Sequence, residues 1–230
     1  MHRLYLGVLD LGIDRLTCRF AHQTYPPDLK ELLCLVRTEQ PAEVPPGTRS
    51  QYNTGESYLV SAVLEAATGE NMVDYMSDRL WSKIGMEFNA RWWTESETGG
   101  MGISGSGMNA ALRDYARFGQ FFMEQGKLGD RALLPIGWTK QATTPFAIGA
   151  KTFPYGFMWW IPELDDPILS GSFQAEGIYG QYIHVNPTEE LVVVLACARA
   201  KPSEKDRLEI NDDAFFAAIA RALRSSCSQI

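Results

Sequence analysis

The stretch PPGTRSQYNTGESYLVSAVLEAATG, residues 45–69, decides how this chain is read. A Pro-Pro-Gly turn leads into Tyr52, and a short polar run follows. Leu59, Val63 and Ala66 or Ala67 then recur on one face until Gly69, a residue that readily takes the left-handed conformation closing a helix. The spacing predicts a helix over 55–68. Tyr52 stands just before its entrance, where an aromatic is either a packing group or a general base at the lip of a pocket.

Working outward, Met72, Met76 and Leu80 recur every four residues and predict a second helix over about 70–82. A third is expected at about 108–124, with Leu112, Tyr115, Gly119 and Phe122 on one stripe and Gly126 as its stop. LLPIGWTKQA (133–142) reads as a short helix. Residues 1–44 hold an apolar patch, a Pro-Pro turn and a helical pattern in DLKELLCLV (28–36), and they read like the middle of a domain.

After residue 150 the texture changes. YGFMWWI, GIYGQYIHVN and ELVVVLACA are β-branched and aromatic, with turn signals between them, and predict three consecutive antiparallel strands. NDDAFFAAIARAL ends the chain as an amphipathic helix with Asn211 as N-cap. The expectation is α+β: a mainly helical region over 1–150 that carries the tyrosine, then strands and a closing helix over 151–230.

Several function classes are set aside by composition. The net charge of −7 and the lack of a basic stripe argue against nucleic acid. No run approaches the roughly 20 apolar residues of a membrane span, and acids at positions 10 and 14 interrupt any signal sequence. Cys18, Cys34, Cys197 and Cys227 form no C-x-x-C pair, which points to reduced thiols and a cytoplasmic setting. His2, His22 and His184 have no partner at metal spacing, so neither a metal nor a cofactor is expected.

Gly100, Gly102 and Gly105 spell G-x-G-x-x-G, but the preceding RWWTESET does not make the strand a dinucleotide site requires, so a flexible loop is expected. Asp114 and Arg117, at i,i+3, read as a surface or interhelix salt bridge. Trp92, Trp93, Trp159 and Trp160 read first as packing aromatics. In AEGIYGQY (175–182), Gly177 and Gly180 interrupt a strand pattern. They mark either a bulge or a strand edge whose Ile178 N–H points into a pocket.

Taken in order, these blocks resemble the serine β-lactamase and penicillin-binding-protein superfamily, in the branch of class C β-lactamases, family VIII esterases and 6-aminohexanoate-dimer hydrolases. Tyr52 lies seventeen residues before Gly69, as the family's Y-S-N-x-G to T-G spacing requires, and Glu65 and Thr68 fall in step. RLWSKIGME, NAALRDYARFGQFFMEQGK, YGFMWW and FQAEGIYGQYIHVNPTEELVVVL follow in the family's order, from about 45 to 222.

The resemblance implies a β-lactamase/transpeptidase-like fold and acyl transfer on a small ester or amide. A serine from S-x-x-K attacks, and the lysine and tyrosine share the proton work. It makes Tyr52 the catalytic candidate, and Gly177, Ile178, Tyr179 and Thr54 the oxyanion and substrate-binding candidates. A serine hydroxyl needs a base to become a nucleophile, and a phenol serves as that base only beside positive charge. Thr54 stands where the family has Asn, Ala175 where class C enzymes have Lys, and Glu176 where many relatives have Thr. None of Lys30, Lys83, Lys127, Lys140, Lys151, Lys201 and Lys205 has a serine three residues before it.

The chain thus reads as an N-terminally incomplete serine hydrolase or as an inactive remnant that keeps the pocket. Ser104 or Ser106 is the substitute nucleophile to be weighed. An exposed sheet edge is expected, covered by a missing N-terminal segment or by a second copy in a homo-oligomer.

Overall fold

In the computed structural model, residues 44–45, 47–94, 101–200 and 211–227 are described. The pattern at 28–36, His2, His22, Cys18, Cys34 and Gly100 lie outside them. Helix α1, Thr54–Thr68, starts where the sequence supplies an acceptor. Asn53 is extended at φ −144° and takes the Gly55 N–H on Oδ1 at 2.9 Å, satisfying one donor that a first turn leaves open. It ends at Gly69, φ 71°, whose N–H donates to Glu65 O at 2.8 Å.

The next helix is tied to the first. Glu65 Oε1 accepts from Met72 N–H and Asn71 Oδ1 from Val73 N–H, both at 2.9 Å, so α2, Met72–Met76, is capped twice. A π-helical turn, Ser77–Trp81, continues it, with Ser82 N–H reaching Ser77 O at 3.0 Å.

Strand β1, Arg91–Trp92, pairs antiparallel with β2, Met108–Asn109. The glycines between them are packing positions. A Cβ on Gly102 would lie 2.6 Å from Met72 Cε, and one on Gly105 would lie 2.5 Å from Thr54 Cγ2. Trp92 Nε1 donates to the carbonyl of buried Ile103 at 2.9 Å. Over 101–107 the expected flexible loop is therefore an ordered lid on α1 and α2.

Because 108–109 belong to β2, the third helix starts later than expected. α3 is Leu112–Met123. Leu112 opens it and is 52% exposed, while Gly119, Phe121 and Phe122 form its buried face. Hairpin β3 (Lys127–Leu128) and β4 (Arg131–Ala132) follows, then α4 (Trp138–Ala142), β5 (Phe146–Ile148) and β6 (Lys151–Phe153).

YGFMWW is not a strand, contrary to its aromatic texture. Gly156 N–H donates to Trp159 O at 2.8 Å and Phe157 N–H to Ala142 O at 2.7 Å, so this segment turns. Trp159 faces inward: its buried ring lies 4.7 Å from Phe122 and 4.9 Å from Phe173.

The main sheet is β7 (Phe173–Gly177), β8 (Gln181–Asn186) and β9 (Leu191–Leu195), antiparallel and in chain order. Its two faces follow from the period of two. Ile183, Val185 and Val192 meet α3 at Gly119, where an added Cβ would lie 2.7 Å from Val192 Cγ1. On the other face, Tyr182, Leu191, Val193 and Leu195 pack with Ile168, Leu169 and the Phe216, Ala217 and Ala220 face of α5, Asp212–Cys227. Asn211 caps α5 as the sequence predicts, taking the N–H groups of Asp213 at 2.9 Å and Ala214 at 3.2 Å.

The described chain forms two compact units. The first holds residues up to Lys83, Asn89–Asn109 and Ile148–Ala150, and the second Ile84–Phe88, Ala110–Ala147 and Lys151 onward. The division differs from one at 150 because α3 packs on the sheet and so joins the strands. Among the described residues, no helix is long and apolar enough to cross a membrane.

Candidate active site

In the first unit, the candidate base sits beside a rigid start point. Tyr52 is 60% exposed, whereas the next residue, Asn53, is 8% exposed and fixed by its cap to Gly55. Thr54 is the first helical residue, and its methyl lies against Gly105. The residue that holds this corner is therefore Asn53, one place before the family position that Thr54 fills. The polar run before a helical period was the signal for such a cap.

Ser104 does not fit the role of a nucleophile here. Its hydroxyl donates to Ser57 O at 2.7 Å and lies 2.9 Å from Ser61 Oγ, an arrangement that ties the lid to α1.

In the second unit, Gly177 to Gly180 make the β7–β8 turn, with Gly180 N–H donating to Gly177 O at 2.9 Å. Gly180 has φ 85°, a value that favours glycine. The two glycines thus bracket a hairpin tip, and the interrupted-strand reading is replaced by a turn. Ile178 and Tyr179 project from that tip, 57% and 41% exposed.

Behind the tip lies a polar network that sequence spacing did not announce. Gln174 Nε2 donates to Glu176 Oε1 at 2.9 Å and to Asp213 Oδ1 at 3.1 Å. With its amide hydrogens so used, Gln174 Oε1 accepts from His184 Nδ1 at 2.9 Å. Asp213 Oδ2 also accepts from Glu163 N–H at 2.9 Å and Leu164 N–H at 3.2 Å.

His184 is fully buried and stacks on Phe216 at 4.4 Å, and its Nε2 has no hydrogen-bond partner among the described residues. Burial pushes its pKa down to about 4 against the pull of the Asp213 carboxylate, so the ring is neutral near pH 7. Beside it, burial and the hydrogen bond to Asp212 at 2.8 Å hold the Tyr182 hydroxyl well above its ordinary range.

Asp114 and Arg117 are not a surface pair. Asp114 is fully buried and accepts from Glu87 N–H at 2.8 Å and Phe88 N–H at 3.1 Å, as well as from Arg117 Nη1 at 3.2 Å. The carboxylate anchors the 84–88 loop to α3. The Arg117 guanidinium also bonds Glu87 and holds that carboxyl below the usual range. Among the described residues, no group of three His, Cys, Asp or Glu gathers as a metal site.

The β-lactamase family model matches residues 10–217. The chain belongs to the β-lactamase family. The 6-aminohexanoate-dimer hydrolase of Paenarthrobacter ureafaciens is 26% identical over 154 residues, 63% of this chain and 38% of that protein. A solved Bacillus anthracis structure assigned to the 6-aminohexanoate-dimer hydrolases aligns with TM-score 0.72 at 29% identity, covering 88% of this chain and 50% of that one. A penicillin-binding protein of Bacillus halodurans aligns with TM-score 0.63 at 20% identity, over 94% of this chain and 69% of that one, a likeness of fold. The β-lactamase/transpeptidase fold is thus shared, and the chain spans half or less of the two hydrolases' length.

Proposed function

We propose that this β-lactamase family chain carries the proton-transfer and oxyanion elements of a serine hydrolase that acts on small esters or amides by acyl transfer. The observation that supports this most is the exposed Ile178 at a glycine-bracketed tip, in a chain that also presents Tyr52 at the entrance of a capped helix.

In this reading a serine Oγ bonds to the substrate carbonyl carbon while its proton passes toward Tyr52 Oη. The match of AEGIYGQY to the family's strand motif assigns the oxyanion that forms to the Ile178 N–H. The tetrahedral species then expels the alcohol or amine, which takes the proton, and water releases the acid. The serine and its lysine come from outside these 230 residues, since no S-x-x-K lies within them. A cytoplasmic setting belongs to the same reading, on the cysteine spacing alone.

The same absence of S-x-x-K favours a second reading, a non-catalytic protein that binds the same small molecules. A p-nitrophenyl ester assay combined with a fluorophosphonate or fluorescent penicillin separates the two. Ester turnover and covalent labelling that depend on this chain, in purified form or in host extract, and that fall in Tyr52→Phe, are expected for the hydrolase. Absence of both in either setting leaves the binding reading.

A further inference from the structure

The hairpin tip between β7 and β8 is held from one side by a segment that follows β9. Arg199 N–H donates to Tyr179 O at 3.0 Å, and Gln181 Nε2 bonds Cys197 O. The Arg199 side chain then folds under the turn: a Cβ built on Gly180 would lie 2.5 Å from its Nε and 2.8 Å from its Cζ. Its Nη2 donates to Asp212 Oδ1 at 2.6 Å, and Asp212 Oδ2 accepts from Tyr182 Oη at 2.8 Å. The side chains of Arg199 and Asp212 are only 9% and 14% exposed, so solvent weakens this pair far less than a surface bridge.

Each part of this arrangement has a consequence for one backbone group. A four-residue turn tethered only at its strands rocks about them, and Ile178 N–H would rock with it. The bond from Arg199 N–H fixes Tyr179 O, while the guanidinium fills the space beneath Gly180. Asp212, in the first turn of α5, fixes the guanidinium. Gly180 admits the arrangement because no side chain competes for that space at φ 85°.

We infer that Arg199 is a positioning residue that, through Asp212, sets the direction of the Ile178 N–H at the hairpin tip. The inference rests on the oxyanion role proposed above for its catalytic meaning, but the clamp itself is measured without turnover.

The test is amide hydrogen exchange by NMR on the full chain and on Arg199→Met, Arg199→Lys and the charge-neutral Arg199→Met/Asp212→Asn. In Arg199→Met and the double variant, exchange at Gly180 and at residue 199, whose N–H groups are bonded to Gly177 O and Tyr179 O, should quicken by about tenfold or more, while His184 and Val185 in β8 keep their protection. Arg199→Lys, which retains the charge toward Asp212, should recover part of the loss.

Where the wild-type chain turns over ester, kcat should fall on the order of a hundredfold in Arg199→Met at unchanged KM. A tip as protected as wild type in both Met variants, or protection lost equally across β8, overturns the clamp. A loosened tip where the wild-type chain gives neither turnover nor covalent labelling, in purified form or in host extract, retains the clamp and refutes the hydrolase reading instead.

Discussion

At the scale of single residues, spacing proposes some roles and conceals others. Tyr52 is proposed as a base on its distance to Gly69, which is written in the chain. The role of Asp114 was not legible, because an i,i+3 pair with Arg117 looks the same whether the carboxylate meets water or the N–H groups of Glu87 and Phe88, 27 and 26 residues upstream. Asp114→Ala removes the buried acceptor shared by those two N–H groups and a guanidinium, and should cost about 2 kcal/mol in urea unfolding at unchanged m. His184 gives a second prediction. Its pKa is about 4 in the folded chain against an ordinary 6.5, so below pH 6.5 the unfolded chain takes a proton that the native chain refuses. Stability should therefore be full above 6.5 and decline as pH falls toward 4, by up to about 3 kcal/mol from this group. Denaturation midpoints across that window should show the slope, and His184→Gln should flatten it.

At the scale of elements, helices were read more faithfully than strands. α1 and α5 announce their caps, Asn53 apart, because capping is local. The main sheet is built from contacts that a single strand does not advertise. YGFMWW has strand composition, yet Trp159 is needed between Phe122 and Phe173, and the segment turns to place it. Gly177 and Gly180 looked like flaws in one long strand and are the corner between two. That corner gives a clean test of its chemistry. Ile178 is the second residue of a four-residue turn, a position that proline suits, and Gly177 before it is extended. Ile178→Pro should keep the melting temperature while deleting the one N–H assigned to the oxyanion, lowering ester turnover by roughly a hundredfold to a thousandfold. Unchanged turnover would remove Ile178 from the mechanism.

At the scale of the whole molecule, the sheet has two unlike edges. β7 is met by Trp160, which exchanges two hydrogen bonds with Gln174, each 2.8 Å. β9 is the outer strand on the other side, and among the described residues no strand lies beside it. Its sequence, Leu191-Val192-Val193-Val194-Leu195, carries none of the charges, prolines or bulges that commonly protect an exposed edge. An open apolar edge of this kind favours pairing with the same strand of a second copy, where an antiparallel ladder satisfies both rows at once. The isolated chain should therefore sediment as a dimer that dissociates on dilution, with a melting temperature that rises with protein concentration. A monomer across the accessible range, melting cooperatively at one temperature, would show that the β9 edge is closed from within the chain.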